Sequence, residues 1–315
     1  MKLRVSNCWS LTSWLLSLCI VCMTSVGIHA ASYLLLTDLG SSAEMIRKGN
    51  IEGFSSGSNA VFENPAGLYR VDTGSTSVFS SQIMKEVDYK NVSVAFKSDI
   101  GVIAVGYMDA GVEDIILTDM VNGLVTNVGY FSYKNRIIKV GYQNSITDQL
   151  HLGINAVGYL NEIHTYTGTG YNIDVGGIYN FSNLEVSLFA RNLIPLKVKY
   201  VDSEDPTYSG EEDLPLQMVF GARYPMGDLD IMGQYKYDGV NSLVSAGVDY
   251  TPSIIMNTLT LSAGYKEFSV LNNRANTITL GVGLNVFGAS LDYAYEKSDH
   301  FEYDSNNFAS IGFDF

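Results

Sequence analysis

Cysteine is nearly missing from this 315-residue chain. Its three copies, Cys8, Cys19 and Cys22, all fall in the first thirty residues, as do both tryptophans. Past that segment there are no disulfides, no Cys-held metals and no Cys nucleophiles. Charge is also scarce: 17% of residues are Asp, Glu, Lys or Arg, against about 25% in an ordinary soluble domain. Basic residues number 19 against 33 acidic, for a net charge of −14. That balance excludes a nucleic-acid surface, which needs clustered Lys and Arg. Long apolar runs do not recur after the N-terminus, which excludes a bundle of membrane helices. His151, His164 and His300 are scattered, with no HExxH pairing, no Ser/His/Asp arrangement and no phosphate-cradling loop. No metal, cofactor or enzymatic role is expected. Disorder is excluded too, because 46% of residues are apolar. What is abundant is glycine (30) and tyrosine (21), while proline stands at six.

Residues 1–30 read as a secretory signal peptide. Lys2 and Arg4 give the positive start, Leu11 to Val26 the apolar stretch, and Ala30 the small residue before cleavage. An uncleaved anchor, or lipid attached at Cys19 or Cys22, is the alternative. Cleavage would remove only Lys2 and Arg4 from the charged set and take the net charge from −14 to −16.

From about Thr73 to Phe315 the dominant signal is strict alternation, the mark of strands with one apolar face. Ile278, Leu280, Val282, Leu284 and Val286 share one face, against Thr277, Thr279, Gly281, Gly283 and Asn285 on the other. Leu184, Val186, Leu188 and Ala190 alternate in the same way with Glu185, Ser187, Phe189 and Arg191. About fifteen such runs follow one another, with separate starts near 125 and 136. Many are about 9–11 residues long, enough for a tilted strand to cross a bilayer. Bacterial barrels have an even number of strands, so fourteen is expected. Asn180–Asn183, Pro225–Gly227 and Gly239–Val240 read as tight turns, Asp109–Gly123 and Leu193–Pro215 as long loops.

Alternation alone fits two architectures. In a soluble barrel or sandwich the apolar face is inside; in a membrane barrel it faces lipid. Three features favour the membrane: the signal peptide, the strand lengths, and tyrosines near strand ends (among them Tyr107, Tyr133, Tyr159, Tyr224, Tyr250 and Tyr265) that suit interfacial girdles. The polar face then lines a lumen containing Lys139, Asp174, Glu185, Arg191, Arg223, Asp230, Lys236, Asp249, Asp292 and Glu296. Both signs are present, so internal ion pairs offset their burial. The final Phe315, ending an alternating strand, is the kind of residue that barrel-assembly machinery reads. The expected fold is all-β: an antiparallel transmembrane barrel over residues 73–315, surrounded by outer-membrane lipid.

Residues 31–72 do not alternate. Ser41-Ser42-Ala43-Glu44 matches a capping box for a short helix through Arg47 and Lys48, closed by Gly49. A Gly/Ser-rich stretch, 53–58, must be irregular. Asn59-Ala60-Val61-Phe62-Glu63-Asn64-Pro65-Ala66-Gly67-Leu68 follows. In it, Pro65 fixes φ, Asn64 bonds neighbouring backbone, and Gly67 is read as allowing a turn few residues can make.

This decapeptide, just ahead of the first strand of a secreted β chain, resembles the N-terminal hatch of the FadL-type outer-membrane family. That family includes long-chain fatty-acid and hydrocarbon transporters and the PorV-like proteins of a secretion system. The resemblance continues through Phe189-Ala190-Arg191-Asn192-Leu193, Leu214-Pro215-Leu216, Ala246-Gly247-Val248-Asp249-Tyr250 and Leu291-Asp292-Tyr293-Ala294-Tyr295, and is closest to the PorV-like branch. It implies fourteen strands, a hatch folded inside the lumen with Asn64, Pro65, Ala66, Gly67 and Leu68 as its motif, and passage of a hydrophobic or amphipathic small molecule such as a fatty acid. The alternative it implies is a PorV-like protein that binds a secreted-protein partner. A lumen this charged departs from a purely apolar fatty-acid tunnel. The carboxylates of 202–205 and 211–213 are read as a solvated loop rather than a Ca²⁺ site.

Overall fold

The computed structural model describes residues 38–315 except 84–85, 208, 256–257, 271–272 and 300–304. The signal-peptide segment, the three cysteines, residues 31–37 and His300 lie outside the described residues.

Sixteen strands are described: β1 (Gly74–Ile83), β2 (Val87–Ser98), β3 (Gly101–Val121), β4 (Leu124–Ser145), β5 (Leu150–Ile163), β6 (Tyr166–Phe181), β7 (Leu184–Arg191), β8 (Lys197–Asp202), β9 (Ser209–Asp213), β10 (Gln217–Met226), β11 (Leu229–Tyr237), β12 (Ser242–Tyr250), β13 (Leu259–Val270), β14 (Asn273–Val286), β15 (Ala289–Ser298) and β16 (Ser305–Asp314). All pair antiparallel. Fourteen close into a barrel, sealed where β1 meets β16 from Ser75↔Asp314 to Ser80↔Ala309. The other two, β8 and β9, form a side hairpin on the far half of β6. β6 therefore forks: Val175–Phe181 pair with β7, and Tyr166–Thr169 pair with β8.

The two runs expected near 125 and 136 are one strand, β4, which resolves the odd count into fourteen. Register shifts between Val112 and Ile115 and between Leu117 and Thr118 break the alternation there. A bulge adds a residue on one strand only, so a period-two reading loses phase across it. For the same reason the expected loop at Asp109–Gly123 is instead strand, turning only at Asn122 and Gly123. The Leu193–Pro215 loop likewise contains a hairpin, β8–β9.

The faces are decided without ambiguity. Ile278 and Leu280 are 62% and 53% exposed on the outside, while Thr277 and Thr279 are 1% and 0% exposed inside. The same outward apolar set recurs round the ring, with Val92, Ile103, Ile138, Leu188, Phe220, Ile231 and Ile311 exposed. Such a belt belongs in hydrocarbon, and a soluble barrel would reverse it. Tyr107, Tyr224, Tyr250 and Tyr265 are on the outer surface, as a girdle requires. Tyr159 is not: it is buried inside and donates to Asn192 Oδ1, and Tyr133 shares that inward face of β4 with Asn135 and Ile137. An aromatic near a strand end belongs to a girdle only when its parity points outward.

The turns at 98–101, 181–184, 226–229 and 286–289 gather at the end that carries Gly74 and Phe315. Gly239–Val240 turns at the opposite, loop-bearing end, between β11 and β12.

Candidate functional site: the hatch and the lumen wall

Residues 38–72 are enclosed by the barrel. Helix α1 (Ala43–Arg47) packs on β13–β16, a 3₁₀ turn at Gly57–Val61 on β1–β4, and a second 3₁₀ turn at Pro65–Arg70 on β3–β6. The helix is capped by Ser42, whose Oγ accepts from Met45 N at 3.1 Å, one residue later than the expected Ser41. Glu44 is not the reciprocal half of a capping box. Its carboxylate takes Lys48 Nζ at 3.0 Å and the backbone N–H of Ser56.

The motif acts as a seat. Asn64 Oδ1 accepts from Ala66 N at 3.0 Å and caps the second 3₁₀ turn. Its Nδ2 donates to Ser187 Oγ at 2.8 Å and to the carbonyls of Gly177 and Leu188, tying the hatch to β6 and β7. Pro65 opens the turn at a position where its missing N–H is not needed. Ala66 and Leu68 are fully buried. Gly67 does not take a positive φ. Its role is space, since a methyl there would lie 3.0 Å from Arg70 Nη1 and 3.2 Å from Ala60 Cβ.

The wall is carved to match. A methyl on Gly176 would lie 1.9 Å from Asn64 Oδ1, on Gly153 2.4 Å from Ala66 N, and on Gly106 2.5 Å from the Phe62 ring. Gly221 faces Phe54, and Gly247 faces the Lys48 carbonyl. These strand glycines form a continuous bed for the hatch. Gly129 and Gly158, with open space around them, are not part of it.

Charge completes the seat. Arg191 reaches Glu52 at 2.7 Å, and Lys236 reaches Glu52 at 3.3 Å and pairs with Asp38. Arg191 also donates to Gln217 Oε1 at 2.7 Å and to Phe62 O at 3.3 Å, with its guanidinium 4.9 Å from the Phe189 ring centroid. Asp174 pairs with Lys139 at 2.8 Å and accepts from Asn192 N at 3.1 Å. Lys139 in turn donates to Phe62 O. Arg223 and Asp230 form a separate group nearer the Gly74/Phe315 end, with Glu185 and Arg70. Opposite, Arg47 meets Asp249 at 3.1 Å and Asp292 at 3.2 Å.

Burial alone would raise the Glu52 carboxyl, but Arg191 and Lys236 outweigh it and hold it below the ordinary carboxylate range. Burial works the same way on Glu44, yet Lys48 and Arg47 bring it down to about 2. Among the described residues Glu63 has no such counter-ion in contact. Burial pushes it up to about 7, while it accepts from Ser41 Oγ at 3.3 Å and Gly53 N at 2.9 Å.

Sequence alternation places the wall residues in the lumen but does not name their hatch partners, Asp38, Arg47, Glu52 and Arg70. A signal for these was present. A segment expected to be enclosed that carries Arg47, Glu52 and Arg70 needs opposite charges beside them, and the wall supplies them.

The lumen also has an apolar side. Phe79, Tyr89, Met108, Ile137, Val157 and Phe308 form one cluster with hatch residues Val61, Phe62 and Leu68. Phe79 lies against Tyr89 and Phe308, with centroids 5.2 and 6.0 Å away. Near the loop-bearing end, a recess of about 20 Å³ lies between Asp38, Asn50 and Glu52 of the hatch and Lys236, Leu243 and Lys266 of the wall. Phe315 is at the seam, where its backbone N–H and C=O pair with Gly74 at 2.9 Å each way and its ring meets Phe96 and Phe313. Carboxylates of β9 are held by Lys197, which reaches Glu211 and Asp213 at 3.3 Å. Among the described residues no three His, Cys, Asp or Glu side chains are grouped to hold a metal.

Solved structures share this fold. The CymD monoaromatic hydrocarbon channel superposes with a TM-score of 0.65 at 12% identity, covering 88% of this chain and 98% of that one. The Pseudomonas putida toluene transporter TodX gives 0.63 at 13%, with 88% and 98% covered. A Pseudomonas aeruginosa FadL homologue gives 0.59 at 10%, with 87% and 98% covered. No protein-family profile and no curated protein matches the chain in sequence.

Proposed function

We propose that this chain is an outer-membrane barrel of the FadL type, through which a hydrophobic or amphipathic small molecule crosses past a movable hatch. One observation carries the reading. Among the described residues every hydrogen bond between hatch and wall uses a side chain, and no sheet ladder joins the two. A plug held this way leaves its seat without breaking a strand pairing, so the barrel persists while the lumen opens. The apolar cluster of β1–β5 and β16 gives a route for an apolar molecule, and the shared fold with hydrocarbon channels supports it. Long-chain fatty acids and monoaromatic hydrocarbons are the substrate classes to try. The test is uptake of a labelled long-chain fatty acid or toluene into liposomes that contain the intact protein. Uptake no faster than in empty liposomes refutes the reading.

A second reading, a PorV-like protein that binds other proteins through its outer loops, draws on a different observation. The outer end bears two projections, the β3–β4 hairpin and the acidic β8–β9 hairpin, that no passage through the lumen requires.

A further inference from the structure

The β3–β4 hairpin outgrows the barrel. β2 accompanies β3 only to Gly111, and β5 accompanies β4 only to Tyr133. Beyond them runs a two-stranded ribbon, residues 112–133. Among the described residues its outer edges carry no strand pairing past Tyr133, and the one edge contact is Ser132 O, which accepts from His164 N at 3.4 Å. Its β3 arm continues about 33 Å from Gly111 to Val121 at the usual strand rise.

One face of this ribbon carries apolar pairs across both strands, on either side of Thr118 and Asn127. Ile116 pairs with Tyr130, and Met120 with Val125. Their exposures are 56%, 64%, 63% and 73%. A two-stranded hairpin alone is marginal in water. An apolar face with free edges beside it is a surface for an added strand.

Two observations decide what covers it. A collar of ion pairs separates the ribbon from the lipid belt: Arg136 with Asp109 at 3.5 Å and with Glu162 at 3.0 Å, and Lys134 with Glu113 at 3.0 Å. Outward Tyr107 lies on the belt side of that collar, so the apolar face is not a continuation of the lipid surface. The rim of the ribbon is acidic, through Glu113, Asp114 and Asp119, and the β8–β9 hairpin adds Glu204, Asp205 and Glu211 to the same end. A second copy would bring like charge against like.

We infer that the ribbon at 112–133 is a docking site for a partner protein, which adds an extended segment with apolar side chains toward Met120 and Val125 and Lys or Arg toward the acidic rim. This rests on the second reading above and names its site and chemistry.

The test uses the full chain in detergent micelles and a fluorescent ten-residue Lys-Val repeat as probe, with a Glu-Val repeat beside it. The Lys-Val peptide should bind and the Glu-Val peptide should not. Met120→Ser with Val125→Ser should weaken binding at least tenfold, and Asp114→Asn with Asp119→Asn severalfold at low salt. Val201→Ser on β8 should leave it unchanged. Heat-modified gel mobility checks that each variant keeps its barrel. Equal binding by the ribbon variant, with loss on neutralising Glu204, Asp205 and Glu211, overturns the ribbon and leaves the second reading standing. No binding of the Lys-Val peptide to any form overturns both. Ribbon-dependent dimers in sedimentation would make a second copy the occupant, and ribbon-dependent flotation with added vesicles would make it lipid; either overturns the proposal.

Discussion

Replacing Glu52 by Gln keeps the shape of the hatch and removes the charge at its centre. Arg191 at 2.7 Å and Lys236 at 3.3 Å then lose the carboxylate that links them across β7 and β11. Breaking a buried pair from one side typically destabilises by about 3–5 kcal/mol, because the remaining charge is left uncompensated. Here the lower figure applies. Arg191 keeps Gln217 and Phe62 O, and Lys236 keeps Asp38. About 3 kcal/mol corresponds to a roughly 150-fold rise in the fraction of molecules with the hatch unseated. Native-state hydrogen exchange reads this directly. Hatch amides such as Ile46 and Gly49 should exchange faster by that factor, while β13 and β14 keep their protection. Arg191→Gln should act similarly, and the double variant should fall well short of the sum, with coupling above about 1 kcal/mol. Additive effects, or barrel and hatch amides accelerating together, would refute a separately seated plug held by this charge group.

Four further outcomes follow from the same contacts. Glu63 sits at about 7 in the folded chain against an ordinary 4.5, so its protonated form favours the seat; that stability is complete below about pH 4.5 and lost as pH rises through 7, by about 3 kcal/mol at about 1.4 kcal/mol per unit. Hatch exchange should therefore quicken between pH 5 and 8, and Glu63→Gln should flatten the profile. Gly176→Ala puts a methyl 1.9 Å from Asn64 Oδ1 and should unseat the motif, read as protease cleavage near Asn64, whereas Gly158→Ala, with nothing within 4 Å, should not. Leu280→Arg, on the outer belt, should destabilise the barrel by about 2–4 kcal/mol in lipid refolding. Lys139→Met leaves Asp174 buried at 0% exposure without its counter-ion and should lower stability by about 3 kcal/mol, measured by chemical denaturation.

Much of the barrel was legible because its signal is local. Successive side chains of a strand point to opposite faces by covalent geometry alone, so Thr277 to Val286 declare their faces without any partner. The reading failed where geometry departs from that rule. The shifts opposite Phe131 and Asn127 split β4 in two, and Tyr159 was counted in a girdle although it shares parity with inward Val157. The motif at Asn64–Leu68 was visible as a turn. That Gly67 serves space rather than φ was not visible, because the atoms it must clear belong to Ala60 and Arg70.

The amino-acid sequence by itself determined the strands and their alternation wherever no bulge intervenes, and it set residues 31–72 apart as a segment that does not alternate. Only the closed barrel decided which charges meet. Glu52 finds Arg191 across 139 positions and Arg47 finds Asp292 across 245, so no spacing along the chain encodes either pair. Closure of β1 on β16 decides which wall residues stand at the same height, and the hatch then takes the place where glycines leave room and opposite charges face it.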